Sequence, residues 1–334
     1  MPAAGRSHVT RLKDSARSSW VGWLRWGCTM PTLAFSEAVR DLALEIAGSL
    51  WAELGLSGWT RHHADSAVDL EPLIIATPRL GAWDARLLEE SFDWCVLNSR
   101  FVSAVRLRNL LNTVDEPTRR AFGDFAATVR KERRVSWPAE GEPLQLRLSG
   151  RSSVPDLLRP ALQQLRLRAI LGVSARAEII RWMLPQPSRF FVVAELAAHA
   201  AYGKDNVADA LDMFSRAGVV TQTTMTTAGN QKRFRLDAGA ELVALAGPAI
   251  PNPDWAARFR LLLALVAFAS TAPGDEAARA AAIYALLGEQ QHDLARVGTF
   301  PHMRQGVDAV NEDFDRWSID ALRSWAGLDP AASP

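Results

Sequence analysis

One stretch, from Leu165 to Asp237, changes its apolar period twice within about seventy residues, and that order of periods limits the folds open to it. Leu165, Ile170, Val173, Ala177, Ile180 and Leu184 recur at helical steps, which predicts one helix with a single apolar stripe. Pro185 and Pro187 end it, because proline has no N–H to give and clashes with the preceding turn. A short extended piece, Phe190 to Val193, comes next. A second helix is expected over Ala194 to Ala200, with Leu196 and Ala197 facing inward. Tyr202-Gly203 reads as the turn, glycine supplying the backbone freedom of a tight corner.

A third helix is expected from about Lys204 to Ala217. Val207, Leu211 and Phe214 stand at i, i+4 and i+7 and so pack inward, and Gly218 is placed to stop the helix. Val219-Val220 begins a strand, and Ala228-Gly229-Asn230 is a hairpin signal. On the return strand Phe234 and Leu236 point one way, while Arg233 and Arg235 point the other, leaving a basic edge.

Helix, extended piece, helix, turn, helix and basic hairpin in this order resemble a winged helix-turn-helix. The resemblance covers about a fifth of the chain. It implies a module that grips double-stranded DNA, with the start of the third helix at base edges and the wing on phosphates or a minor groove. Carried over residue by residue, it implies that Lys204 and Asn206 read bases. Lys232, Arg233 and Arg235 would clamp backbone, and Arg189, next to the turn, would contact phosphate. One feature departs from it. Asp205, Asp209 and Asp212 form a stripe on the exposed side of the third helix, where acids repel phosphate. A module used for protein contact, or one bound mainly through its wing, tolerates such a stripe better.

Charge follows the module. Arg159 to Asp237 holds eleven lysines and arginines against six acids, a net of +5, and the rest of the chain carries −4. Basic charge collected on one element is the electrostatic footprint of a nucleic-acid binder. Only four of the 38 bases are lysines, however, so arginine is this chain's default base and many of its arginines read as solvated helix surface.

The remaining sequence is helical in pattern. Residues 1–29 read as a flexible basic leader, or as the product of a start codon placed too far upstream, with Met30-Pro31-Thr32 a natural beginning. The competing reading is a basic arm or interfacial anchor around Trp20, Trp23 and Trp26. Residues 30–134 form an expected N-terminal helical domain. Ser36, Ser103 and Pro117 stand at helix starts, and Trp51, Leu54, Leu56 and Trp59 make a corner around Gly55 and Gly58. Residues 135–160, rich in proline and glycine, are the linker candidate. Leu144, Leu146 and Leu148 alternate within it as a lone strand would. The winged-helix segment is bounded at 161–247. A C-terminal helical region, 248–328, follows, and its Ala281, Ala282, Tyr284 and Ala285 suit a dimer seam or an internal bundle.

Chemistry is harder to find. His62-His63-Ala64-Asp65 invites a metal reading, but adjacent histidines point apart and read as surface loop. Glu89, Glu90 and Asp93 read as the wet face of a helix rather than an acid–base cluster. Cys28 and Cys95 are the only cysteines and make no metal pattern, which fits a reduced, cytoplasmic setting. No phosphate-binding glycine loop, nucleophile elbow or zinc-protease motif occurs, and no apolar run reaches membrane-spanning length. The expectation is a mainly α protein with a small β-hairpin, flanked by N- and C-terminal helical domains, needing no cofactor or metal and catalysing nothing. It would be a cytoplasmic regulator binding duplex DNA as a homodimer, with no membrane partner and any small-molecule effector unknown. The alternative is a winged-helix protein-interaction subunit, antitoxin-like or for complex assembly, without specific DNA binding.

Overall fold

A buried lattice of ions, absent from every expectation above, ties the middle of the chain together. The computed structural model describes residues 32–63, 66–225 and 231–328. The basic leader, Cys28, Ala64-Asp65 and the hairpin tip Ala228-Gly229-Asn230 lie outside the described residues. Within them the chain is mainly helical, with one small antiparallel sheet of two strands. The described residues fall into two compact units, one within residues 47–259 and one of residues 32–46 with 260–328. Among the described residues no helix is long and apolar enough to cross a membrane.

The larger unit begins in the last seven residues of α1 (Thr32–Glu53), the rest of which belongs to the other unit. It continues through α2 (Leu70–Leu80), α3 (Ala85–Asn98), α4 (Ala104–Leu111) and α5 (Glu116–Glu132). Local chemistry sets the starts. Asp84 accepts from the N–H groups of Arg86 and Leu87, Ser103 from Arg106, and Asp115 from Thr118, each satisfying an orphan donor of a first turn. Trp51 and Trp94 meet edge-on at 5.5 Å, and Trp51 Nε1 donates to Thr77 Oγ1 at 2.8 Å. Gly48 lets Trp59 approach: a Cβ there would lie 2.0 Å from the indole nitrogen.

Residues 135–159 contain no helix or strand. The alternation of Leu144, Leu146 and Leu148 finds no strand partner. Side chains hold this strap instead, with Thr128 Oγ1 accepting from Leu144 N at 2.8 Å and Asp93 accepting from Ser149 N at 2.7 Å and Arg151 N at 3.2 Å. Asp93 is therefore buried as an anchor, which corrects the expectation that it lies on the wet face with Glu89 and Glu90.

The segment read as one helix from Leu165 to Leu184 is two, α6 (Gln163–Leu171) and α7 (Ala175–Met183), parted at Gly172, where φ is +79°. Then come α8 (Val193–Ala200), α9 (Lys204–Arg216), β1 (Val220–Met225), β2 (Gln231–Leu236) and α10 (Gly239–Ala246). Ile180, Met183, Leu196, Val207, Leu211, Phe234 and Leu236 share one apolar core. The extended piece before α8 is real. Phe191 and Phe234 exchange both backbone hydrogen bonds at 2.8 Å, an antiparallel bridge that sets Phe191 beside β2.

The second unit holds most of α11 (Trp255–Thr271), with α12 (Glu276–Glu289), α13 (Gln291–Val297) and α14 (Val307–Trp325). Phe268 and Phe314 pack at 5.0 Å and Phe35 and Phe314 at 6.2 Å. Arg279 lies over the Phe35 and Phe268 rings and binds Asp315 at 2.5 Å and Asn311 at 3.0 Å. Tyr284 stands exposed on α12.

Candidate nucleic-acid interface

The turn between α8 and α9 is where the helical segment before it takes hold of the module. Arg106 Nε donates to Ala200 O at 2.9 Å and Asn109 Nδ2 to Ala201 O at 2.9 Å, while Ser103 Oγ meets Tyr202 OH at 2.8 Å. All three side chains come from α4 or its cap. Ala201, with φ at +53°, is the one non-glycine residue in the left-handed region among those described. The expectation that glycine makes this corner needs correction. Gly203 has φ −61° and stands as the N-cap of α9, while Ala201 makes the sharp bend under the grip of Asn109.

Behind that grip lies the ionic lattice. Arg106 binds Asp69 at 2.7 and 2.9 Å and also pairs with Glu71. Arg168 binds Glu71 at 2.6 and 2.8 Å and Glu178 at 2.6 and 2.9 Å, and donates to Phe101 O at 2.6 Å. Arg181 binds Asp69 at 2.8 Å. All six groups are buried, three cations against three carboxylates. Burial alone would raise the Asp69 carboxyl, but the guanidiniums of Arg106 and Arg181 outweigh it and hold it well below the usual range. Glu178 is lowered in the same way, burial opposing and Arg106, Arg168 and Arg181 prevailing. Isolated ions do not survive such burial; mutual pairing makes it tolerable, although Nε and Nη1 of Arg181 find no hydrogen-bond partner. Sequence reasoning missed this lattice. A signal was present, since Glu178 and Arg181 flank the inward Ile180, but nothing local names their partners.

Because Arg168, Arg181 and Glu178 are spent inside, the outward charge of the module is smaller than its composition implied. Arg189, read as a phosphate contact, is engaged: it donates to Gln186 Oε1 at 3.1 Å, pairs with Glu195, and lies 4.7 Å from the Phe191 ring. Arg235 pairs with Asp237 at 3.1 Å and lies over Phe190. Lys204 and Asn206 stand exposed in the first turn of α9, as does Asp205. Asp212 is bridged to Arg216 at 2.8 Å. Among the described residues no carboxylate pairs with Lys204, Lys232 or Arg233, and no cation pairs with Asp205 or Asp209. Met213 is 60% exposed on the same face of α9.

In the hairpin, Val220 faces Leu236, Thr221 faces Arg235, Gln222 faces Phe234, Thr223 faces Arg233 and Thr224 faces Lys232. Val220, Phe234 and Leu236 seat the base of the ribbon in the core, and exposure rises outward to Thr223, Thr224, Gln231 and Lys232. The six residues singled out in the sequence thus occupy three places: Lys204 and Asn206 at the start of α9, the hairpin cations on β2, and Arg189 in the loop before α8.

Elsewhere, His63 is no surface histidine. It is buried, bonded through Nε2 to Ser49 Oγ at 2.7 Å, and stands edge-on to Trp255 at 5.9 Å. Burial, reinforced by the charge of Arg258, lowers it to about 4. Ser49 is fully buried as well, so the pair offers no substrate a surface. No cluster of histidine, cysteine or acids capable of holding a metal occurs among the described residues. Cys95 is a buried free thiol that burial pushes well above its ordinary value. Set against known proteins, the chain matches no family model, no curated protein and no solved structure.

Proposed function

We propose that residues 161–247 form a winged helix-turn-helix that holds double-stranded DNA, and that the protein is a transcription regulator. The observation carrying this reading is the element order α7, the Phe191 bridge, α8, turn, α9, β1 and β2, in which an extended residue pairs with the second strand of the hairpin. Charge supports it: Lys232 and Arg233 on β2 pair with no carboxylate among the described residues, while Arg235 is met by Asp237. A regulator of this kind works on a duplex site as a homodimer in the cytoplasm, and the exposed face of α12 around Tyr284 is the seam we assign to the dimer.

A second reading has its own support. Asp205, Asp209 and Met213 on α9 suit a protein partner better than phosphate, as in an interaction subunit that binds no DNA specifically.

Binding of the full chain to random duplex DNA over a salt series separates them. A phosphate-binding surface loses affinity linearly with the logarithm of salt, and each lost contact lowers the slope by about 0.9. Lys232→Ala with Arg233→Ala is expected to lower the slope by about 2. Absence of any retention at low salt sinks the DNA reading and leaves the protein-interaction one.

A further inference from the structure

We infer that α4, which lies outside the module, supplies a phosphate contact of its own: Arg108 binds the duplex backbone beside the turn between α8 and α9, on the flank of Lys204. This rests on the DNA reading above and extends the same interface onto the N-terminal helical segment.

The first ground is where α4 lies. Ser103, Arg106 and Asn109 follow one another along one side of the helix, and each meets the turn. Ser103 Oγ lies 2.8 Å from Tyr202 OH, Arg106 Nε donates to Ala200 O at 2.9 Å, and Asn109 Nδ2 donates to Ala201 O at 2.9 Å. All of these residues belong to the larger unit. Lys204 opens α9 directly after this turn. The neighbouring row of α4 is exposed and runs through Val105, Arg108 and Asn112, at i, i+3 and i+7. A duplex that reaches the start of α9 is therefore flanked by that row.

The second ground is charge. Arg108 is exposed and has no carboxylate, carbonyl or ring as partner among the described residues. The acids that follow α4 are engaged elsewhere. Asp115 accepts from the N–H of Thr118, and Glu116 is met by Arg119 at 3.0 Å and by Arg120 at 3.8 Å. On the module's side, Lys204 and Asp205 are exposed neighbours of opposite charge, and Asp209 adds an acid one turn further on. The side chains at the start of α9 thus bring no net positive charge to a polyanion, and Arg108 supplies the cation this corner lacks. A guanidinium suits the role, because its planar fork matches two phosphate oxygens and its charge persists at every working pH. Duplex DNA carries one charge for about every 1.7 Å of its axis, so a long cation on the flank of the contact has phosphate to meet.

The experiment follows one labelled non-specific duplex against the full chain by fluorescence anisotropy over a salt series. Arg108→Ala is expected to lower the salt slope by about 0.9 and to weaken binding about fivefold at low salt. Arg108→Lys, which keeps the charge, is expected to keep the slope. Arg134→Ala removes an equally exposed and unpaired base beyond the far end of α5, and is expected to change neither slope nor affinity. All three variants should melt with the wild-type chain, because neither arginine touches another group. An unchanged slope for Arg108→Ala, or an equal fall for Arg134→Ala, overturns the inference and leaves DNA binding in place. Absence of binding by the wild-type chain at low salt overturns the DNA reading, and the contact with it.

Discussion

Arg106 donates from Nε to the carbonyl of Ala200 at 2.9 Å across 94 residues of chain. The last carbonyl of α8 is thereby satisfied by a side chain whose other nitrogens hold Asp69 and Glu71. The corner between α8 and α9 is set from outside, by the helical segment before it. Helices end with unpaired carbonyls, and here two of them are taken by α4. The relative placement of α8 and α9 therefore depends on the integrity of the ionic lattice.

The corner residue itself gives a sign test. Ala201 sits in the left-handed region, which costs a residue with a Cβ roughly 1–2 kcal/mol, while glycine there forfeits some of that gain to its freer unfolded chain. Ala201→Gly is expected to be neutral or to stabilise by up to about 1 kcal/mol, measured as a shift of the urea midpoint at constant slope. A loss of stability would show that the Cβ, not the clamp, makes the turn.

Removing one member of the lattice is a different matter. Arg168→Met leaves Glu71 and Glu178 short of a buried cation and strips Phe101 O of its donor. Breaking a buried pair from one side typically costs about 3–5 kcal/mol. Arg168→Lys keeps the charge but not the fork that reaches two carboxylates, so it should fall between wild type and Arg168→Met in chemical denaturation. A loss below about 1 kcal/mol for Arg168→Met would mean the lattice is dispensable.

The pH dependence has opposite signs in the two units. His63, ordinarily near 6.5, is lowered to about 4 by burial and by Arg258. Its contribution is complete above pH 6.5 and is lost as the pH falls toward 4, because the unfolded chain takes the proton first. Asp315 is raised from 3.8 to about 6. Burial outweighs Arg279, and Asp315 Oδ2 has no hydrogen-bond partner. Its contribution is complete below about pH 4 and is lost as the pH rises through 6. Each shift is worth on the order of 3 kcal/mol. Corrected amide exchange at pH 4.5 and 7 should show α14 better protected at the lower pH and the C-terminal half of α1 at the higher. Asp315→Asn is expected to flatten the first trend and His63→Gln the second. The depressed carboxylates Asp69 and Glu178 add a separate acid limit, their stabilisation being lost as the pH falls below their ordinary values.

Close packing supplies the last test. A methyl at position 48 would meet the Trp59 ring at 2.0 Å, so Gly48→Ala must push the indole aside. Overpacking of this kind costs about 1–3 kcal/mol, against the small gain alanine brings within a helix. The thermal midpoint of Gly48→Ala should fall; an unchanged or higher midpoint would show that Trp59 swings away freely.

Much of this architecture was legible in the residues, and for local reasons. Helix starts at Ser103 and around Pro117, the inward Val207, Leu211 and Phe214, and the opposed faces of β2 all follow from spacing within a few positions. The hairpin cations Arg233 and Arg235 were identifiable because strand alternation separates them from Phe234 and Leu236, whereas Lys232 shares the face of those two and is exposed because it stands farther out along the ribbon. What misled was charge. Asp93 and His63 read as surface, as did many of the arginines taken together, since polar residues usually are, yet Asp93, His63, Arg168 and Arg181 are all buried against partners.

The sequence by itself determined where most of the helices and the hairpin form and most of the apolar faces they turn inward, because hydrogen bonds and side-chain periodicity act over a turn or a strand; the break at Gly172, with Ile170 and Val173 exposed beside it, is the exception. Only the tertiary structure decided which ions are spent in the interior and which remain for a ligand. Arg181 and Asp69 are 112 positions apart, and the energy of a charge depends on how much water its neighbours remove and on what opposite charge they bring. Neither quantity is a property of any local run of residues.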